Sequence, residues 1–327
     1  MANQKTTIKA VGDDLTLMSM MRRFSTEESA RDFFENLRWP NGPVCPHCGN
    51  CDQERIYKVT ANIGKKIRAG LYKCAECSDQ FTVTVGTVME DSHIPLNKWL
   101  IAFYIMCASK TQVSALQLQR QLELGSYRSA WFLCHRIRFA LMDVLTEGKL
   151  GGPVEADETY IGGKNRGHSQ GYVGNKTSVV SLVGRGGQVR SHVVDMVSGK
   201  EITKLVKAHV STKANLNTDE SRLYTKVGRE FASRDVVNHS REEYGRLDAD
   251  TGRLATTNAV EGFFGNSKPS LDGTHHHISK QRTGLYFAEL DFKYNPRSST
   301  DGARTVGGIR GIAGKRLMLR RSKAKGM

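Results

Sequence analysis

The order of apolar and polar positions divides the chain into a helical lead, a strand-rich stretch, a helical block and a longer region where strands and helices alternate. Ala30, Phe33, Phe34 and Leu37 recur at helical spacing, and Pro40 closes the run. Ser25 with Glu28 three residues on reads as the capping box that opens it. Residues 56–59 and the alternating stretch 81–85 predict strands. Three helical runs follow: one from Pro95 through Trp99, Phe103 and Ile105, one over 113–122, one over 127–145. Gly125 as a turn residue and Ser126 as an N-cap join the last two, which suggests a helix-turn-helix. Arg128, His135, Arg136 and Arg138 lie mostly away from the apolar side of the third run. They form a phosphate-facing set in a helix-turn-helix and a solvated basic face in a plain bundle.

From Pro153 the texture changes. Val154 to Ile161 reads as a strand that carries Glu155, Asp157 and Glu158 and stops at Gly162-Gly163. A Gly- and Lys-rich loop, 162–176, holds Lys164, Arg166, His168 and Lys176. Strands are predicted over 178–183 and 189–197, then a helix over 201–209, and a strand over 214–219 ending in Asp219. A helix near 222–230, a short strand at Val236-Val237, and a helix from Thr257 stopped by Pro269 complete the region. Three strands followed by alternating helices and strands is the order of an RNase H-like α/β domain.

Cysteine spacing adds a metal site. Cys45, Cys48, Cys74 and Cys77 form C-x2-C-x25-C-x2-C among short strands, the pattern of a zinc ribbon whose four thiolates hold a structural Zn2+. Cys51 forms a third CxxC with Cys48 and is read as an unused neighbour. Seven cysteines, mostly paired this way, fit a reducing compartment better than a disulfide framework. A net charge of +15 favours a polyanionic partner, nucleic acid before an anionic membrane surface. The longest apolar run, 99–108, is about half of what a membrane-spanning helix needs. The N-terminus has no apolar signal core, so a cytoplasmic, nucleoid-associated protein is expected.

Asp157 and Asp219 at two strand ends, and Glu261 on a later helix, are candidates for one site. Carboxylates delivered this way suit Mg2+, or Mn2+ in its place, and two such ions can serve an in-line phosphoryl displacement. Lys268 lies two helical turns after Glu261 and Asn258 one turn before it, on the same face, where Lys268 can reach a phosphate. Each acid also has an ordinary alternative: Asp157 in a turn, Asp219 as a cap, Asn258 with Glu261 as a cap pair. Glu158 should turn away from Asp157 by strand alternation, and Glu158 and Glu220 are kept outside the site.

The CPHCG and CAEC knuckles, the VEADETYIGGK strand, Asp219, the TTNAVEGFFGNSK helix and the later LYFAELDFKYNPR stretch occur in an order that resembles DDE-type insertion-sequence transposases with an N-terminal zinc ribbon. The resemblance spans roughly residues 25–297. It implies an RNase H-like core, Mg2+-dependent cleavage and transfer of DNA strands, terminal inverted repeats and target DNA as substrates, and more than one subunit on them. By position it makes Asp157, Asp219 and Glu261 the acidic triad, with Lys268 as the associated lysine. Members differ in whether Asn or Glu is the third residue, and both Asn258 and Glu261 are present here. The other readings are a zinc-ribbon DNA-binding regulator without catalysis and an RNase H-like nuclease without strand transfer.

The expected organisation is a helical lead over 1–40, a zinc ribbon over 41–90, a helical DNA-binding segment over 91–150, the catalytic domain over 151–297 and a flexible basic tail over 298–327. The tail would add phosphate contacts. His275-His276-His277 is expected in a DNA-contacting loop rather than a metal site.

Overall fold

The computed structural model describes residues 15–62, 64, 65, 67–142, 144, 148–162, 176–275 and 277–318. They fall into two units, Met1–Val144 with Ser298–Met327, and Leu145–Arg297. Among the described residues no helix is long and apolar enough to cross a membrane.

The first unit opens with α1 (Leu17–Arg23), which no sequence signal announced. Then comes α2 (Glu27–Arg38). The α2 cap is Thr26, whose hydroxyl accepts from Ser29 N at 3.2 Å, so the Ser25–Glu28 capping box does not form. Ala30, Phe33 and Phe34 are buried as the pattern required. The ribbon strands β1 (Ile56–Val59), β2 (Leu71–Cys74) and β3 (Gln80–Phe81) pair antiparallel in that order. The strand predicted over 81–85 keeps only Phe81. Val85 N turns back to Thr82 O, and Arg38 Nη1 donates to the carbonyls of Val83 (2.6 Å) and Val85 (2.8 Å). A half-buried guanidinium thus takes carbonyls that a sheet partner would otherwise use. Trp39, Tyr72 and Phe81 meet with ring centroids 5.6–5.7 Å apart, which joins α2 to the ribbon.

Helices α3 (Leu96–Ala108), α4 (Ala115–Gln121) and α5 (Tyr127–Leu141) follow the predicted block. Ser126 caps α5 through Ser129 N as expected, but the left-handed residue of the α4–α5 turn is Glu123 (φ 49°), not Gly125. The basic set on α5 is corrected: His135, Arg136 and Arg138 are buried, and Arg136 donates to Glu90 O at 2.7 Å. Of the four, only Arg128 in the first turn is exposed.

The flexible tail is corrected over residues 298–318, while 319–327 lie outside the described residues. Asp301–Arg310 forms a C-terminal helix that packs on α3 and buries Val306 and Ile309. Beyond it, Val88 N donates to Ile312 O and Gly314 N to Gly86 O. A Cβ at Gly311 would stand 2.1 Å from Ala140 O, so only glycine permits this approach to α5. Lys315 Nζ donates to Ala140 O (3.0 Å) and Met142 O (2.5 Å), while Arg316 pairs with Glu90 and Asp91. These cations are spent on helix-end carbonyls and carboxylates inside the unit.

The second unit is a five-stranded mixed sheet, as the RNase H-like expectation requires. Its strands are β4 (Pro153–Ile161), β5 (Thr177–Gly184), β6 (Val189–Val194), β7 (Asn215–Thr218) and β8 (Ser233–Val236). The order is β6-β5-β4-β7-β8, antiparallel through β6, β5 and β4 and parallel through β4, β7 and β8. One face packs Val154, Ala156, Val180 and Leu182 against α6 (Gly199–His209) and Tyr224. The other packs Val179, Val183 and Val189 against α7 (Asn258–Thr274) and α8 (Lys280–Tyr294). The helix expected over 222–230 is a single 3-10 turn (Arg222–Tyr224) and one helical turn (Thr225–Gly228). A hairpin of β9 (Gly245–Leu247) and β10 (Leu254–Thr256) between β8 and α7 was not anticipated. Pro269 does not stop α7, which continues to Thr274. A helix whose Val260, Phe263, Phe264 and Leu271 are buried can carry the one bond that proline removes.

Ile309→Ala should lower stability by about 2–5 kcal/mol in chemical denaturation, as for any large aliphatic lost from a core. A free tail would leave the unfolding curve unchanged.

Candidate active site and metal centre

In the ribbon, the sulfurs of Cys45, Cys48, Cys74 and Cys77 all lie within 4.8 Å of one another. Cys45–Cys77 and Cys48–Cys74 are each 3.7 Å apart. Four thiolates at about 2.3 Å from a tetrahedral zinc are about 3.8 Å apart, so the cluster fits Zn2+ without rearrangement. Asn50 Nδ2 donates to Cys74 Sγ at 3.6 Å, an outer partner for one thiolate. The backbone N–H of Cys77 leads the contacts that lower the Cys74 thiol to about 6, toward the ligating form. Cys51 is exposed and outside the cluster.

In the second unit, Asp157, Asp219 and Glu261 line one cleft of about 200 Å3, together with His239 and Thr257. The register explains the first two. Glu155 pairs with Asn217 across parallel β4 and β7, and continuing that register by two residues brings Asp157 beside Asp219, which directly follows β7. Glu261 comes from the first turn of α7. Its Oε1 accepts from the Thr257 hydroxyl at 2.5 Å and lies 3.1 Å from His239 Nε2. The ring of His239 is also 3.1 Å from Thr257 Oγ1, and its backbone N–H donates to Glu220 Oε2. No motif pointed to His239, and Thr257 entered only as the start of the helix that bears Glu261. His239 stands alone in a polar stretch, and only the fold carries it to the cleft.

Burial pushes the Asp157 carboxyl up to about 7, against the pull of the Glu158 N–H bonded to Oδ1 at 2.7 Å. The carboxylates of Glu158, Asp219 and Glu261 add to the rise. Burial likewise raises Asp219, whose Oδ1 accepts from Ser221 N. Three oxygen-donor side chains that repel one another in a half-buried cleft are the donor set hard divalent cations take. Mg2+ or Mn2+ therefore fits Asp157, Asp219 and Glu261.

The remaining sequence candidates lie around this centre. Glu158 turns to the opposite sheet face and accepts from Tyr224 OH at 2.8 Å. Glu220 accepts from Ser240 Oγ, which leads the contacts that lower its carboxyl to about 2. Asn258 is exposed at the start of α7, its backbone N–H on Thr256 Oγ1, and is not among the residues that line the cleft. Lys268 is exposed two turns after Glu261, with its ammonium 6.0 Å from the Phe264 ring centre, and is likewise not a lining residue. The loop candidates Lys164, Arg166 and His168 lie outside the described residues, as does His276, while His275 packs edge-on against Tyr286.

Removing the metal from the cysteine cluster should unfold the ribbon. Cys48→Ala is expected to lose the bound zinc by elemental analysis, together with the near-UV circular dichroism of the Trp39–Tyr72–Phe81 cluster. The acid cleft makes a pH prediction. Between about pH 4 and 7 native Asp157 holds a proton that the unfolded chain has released, so its contribution to stability falls as pH rises and stays lost above 7. Metal-free Asp157→Asn should be more stable than the wild type near pH 8, by up to about 4 kcal/mol, with the advantage fading toward pH 4 in urea titrations.

Comparison with known proteins agrees with this layout. Residues 149–295 match the ISXO2-like transposase domain and residues 25–80 the transposase zinc-ribbon domain. The first range coincides with the unit that holds the acid cleft, the second with α2 and the cysteine ribbon. A protein of Halobacterium salinarum, described as an uncharacterized protein in transposable element ISH50, is 29% identical over 251 residues, covering 69% of this chain and 79% of that one. Cysteine ribbon, mixed sheet and both domain matches lead to one assignment: the chain belongs to the DDE-type insertion-sequence transposases that carry an N-terminal zinc ribbon.

Proposed function

We propose that the protein binds the terminal inverted repeats of its element and catalyses Mg2+-dependent cleavage of the DNA strand followed by strand transfer. The observation that carries this reading is the convergence of Asp157, Asp219 and Glu261 on one cleft. Bound there, a pair of divalent ions would supply charge neutralisation for the attacking and leaving oxygens of a phosphodiester. Asp157 stands on β4 and Asp219 directly follows the adjacent β7, so the sheet restrains their spacing. Thr257 and His239 hold Glu261 Oε1, which leaves that carboxylate little rotational freedom. Glu220 holds the segment bearing His239 through its backbone N–H and through Ser240. Lys268, exposed on α7, is assigned to a flanking phosphate rather than to the reacting centre, and Glu261 rather than Asn258 is the third acid.

DNA binding by the ribbon and helical unit accords with the net charge of +15 and with the exposed Arg128 at the start of α5. Such an enzyme acts at the nucleoid, with more than one copy joining the two ends. Asp157→Asn, Asp219→Asn and Glu261→Gln should each reduce cleavage of terminal-repeat DNA by at least about 100-fold, beyond the 10- to 100-fold typical of losing an outer partner. DNA affinity should be unchanged. An assay with labelled 3′-OH ends separates the rivals: hydrolysis without joining identifies a nuclease, and binding without any Asp157-dependent cleavage identifies a regulator.

A further inference from the structure

The cleft draws its acids from a sheet and a separate helix, and one buried side chain spans that junction. Glu155 sits two residues before Asp157, on the same face of β4, and is 1% exposed. Its Oε2 accepts from the backbone N–H groups of Ala259 (2.7 Å) and Val260 (3.1 Å), in the first turn of α7. Those donors have no partner inside the helix, and Thr257 makes no side-chain cap to them. The other oxygen, Oε1, is 3.2 Å from Arg185 Nε, on the turn between β5 and β6. A carboxylate from the strand therefore does what an N-cap normally does, reinforced by the partial positive charge of the helix end.

We infer that Glu155 is a positioning residue that sets the distance between Asp157 and Glu261 and so the affinity of the cleft for divalent cations. This rests on the reading of that cleft as the metal-binding centre. The linkage is short: Glu261 follows Ala259 and Val260 directly on α7, and Asp157 follows Glu155 by one pleat of β4. Two rigid elements are pinned to each other at the point where their ligands emerge. Glu155 touches neither substrate nor ion. Its effect passes through the placement of Glu261, in the way that outer partners tune a metal site.

The test uses the full-length protein and Mn2+ alone as probe, with binding read by electron paramagnetic resonance of the free ion. Glu155→Gln keeps the side-chain length and an acceptor for the helix but removes the charge that both N–H groups and Arg185 address. The expected result is a folded protein whose Mn2+ affinity falls by about 10- to 100-fold, with cleavage rates that recover at high Mn2+. Asp157→Asn should show no such recovery. A capping role confined to stability would lower the melting temperature and leave the Mn2+ affinity of the folded protein unchanged, which overturns the inference. Should Glu155→Gln fail to fold, Ala259→Pro removes the shorter of the two bonds from the helix side, at a first-turn position where proline breaks no intrahelical bond. Wild-type Mn2+ affinity in that variant overturns the inference equally. If the wild type itself shows no Mn2+ binding that Asp157→Asn abolishes, the reading of the cleft fails. If it does and the Glu155 and Ala259 variants match it, only the positioning role fails.

Discussion

Partial burial of neighbouring carboxylates is the constraint around which the second unit is built. Asp157, Asp219 and Glu261 are held about one cleft in partial burial, an arrangement that by itself destabilises the fold, as the raised Asp157 and Asp219 carboxyls record. The rest of the unit offsets that cost. Parallel pairing of β4 with β7 fixes the two aspartates, and apolar layers on both sheet faces keep the strands from sliding apart. The Glu155 carboxylate then satisfies the start of α7, where an orphaned buried N–H would otherwise cost about 1–3 kcal/mol.

The β6 edge of the sheet is closed by side chains from a stretch that the family resemblance marked without explaining. Asp291 on α8 accepts from both the backbone N–H and the hydroxyl of Ser191, each at 2.7 Å. Asn295 bonds the N–H and the carbonyl of Val189 at once. These two residues occupy backbone groups of edge strand β6 that would otherwise be open to another chain. Ser191 in turn meets Ser181, the strand partner of Asp157, so a row of polar side chains runs beneath the apolar layer from α8 toward the cleft strand.

The ribbon and helical unit shows a similar division between charge that is presented and charge that is consumed. Arg38, Arg136, Lys315 and Arg316 spend their donors on carbonyls and carboxylates within the unit. Basic residues in a helical pattern are therefore a poor guide to a DNA-facing surface. His135, Arg136 and Arg138 show helical spacing like any solvated set, yet the packing of α3, α5 and the C-terminal helix buries them.

By itself the sequence determined the features that depend on spacing or period: the four clustered cysteines, the strand bearing Asp157, the strand end next to Asp219, the helix bearing Glu261 and the order of the α/β elements. Each rests on local chemistry, a knuckle, an alternation or a cap, that neighbouring residues settle among themselves. Tertiary structure decided the rest. It brought His239 to Glu261, folded the C-terminal segment onto α3, and carried α7 through Pro269. It also turned Glu155 from a neighbour of the first aspartate into the anchor of the helix that bears the third acid. In each case the partner lies far away in the chain, and no local pattern specifies a contact whose other half is supplied by a distant strand, helix or turn.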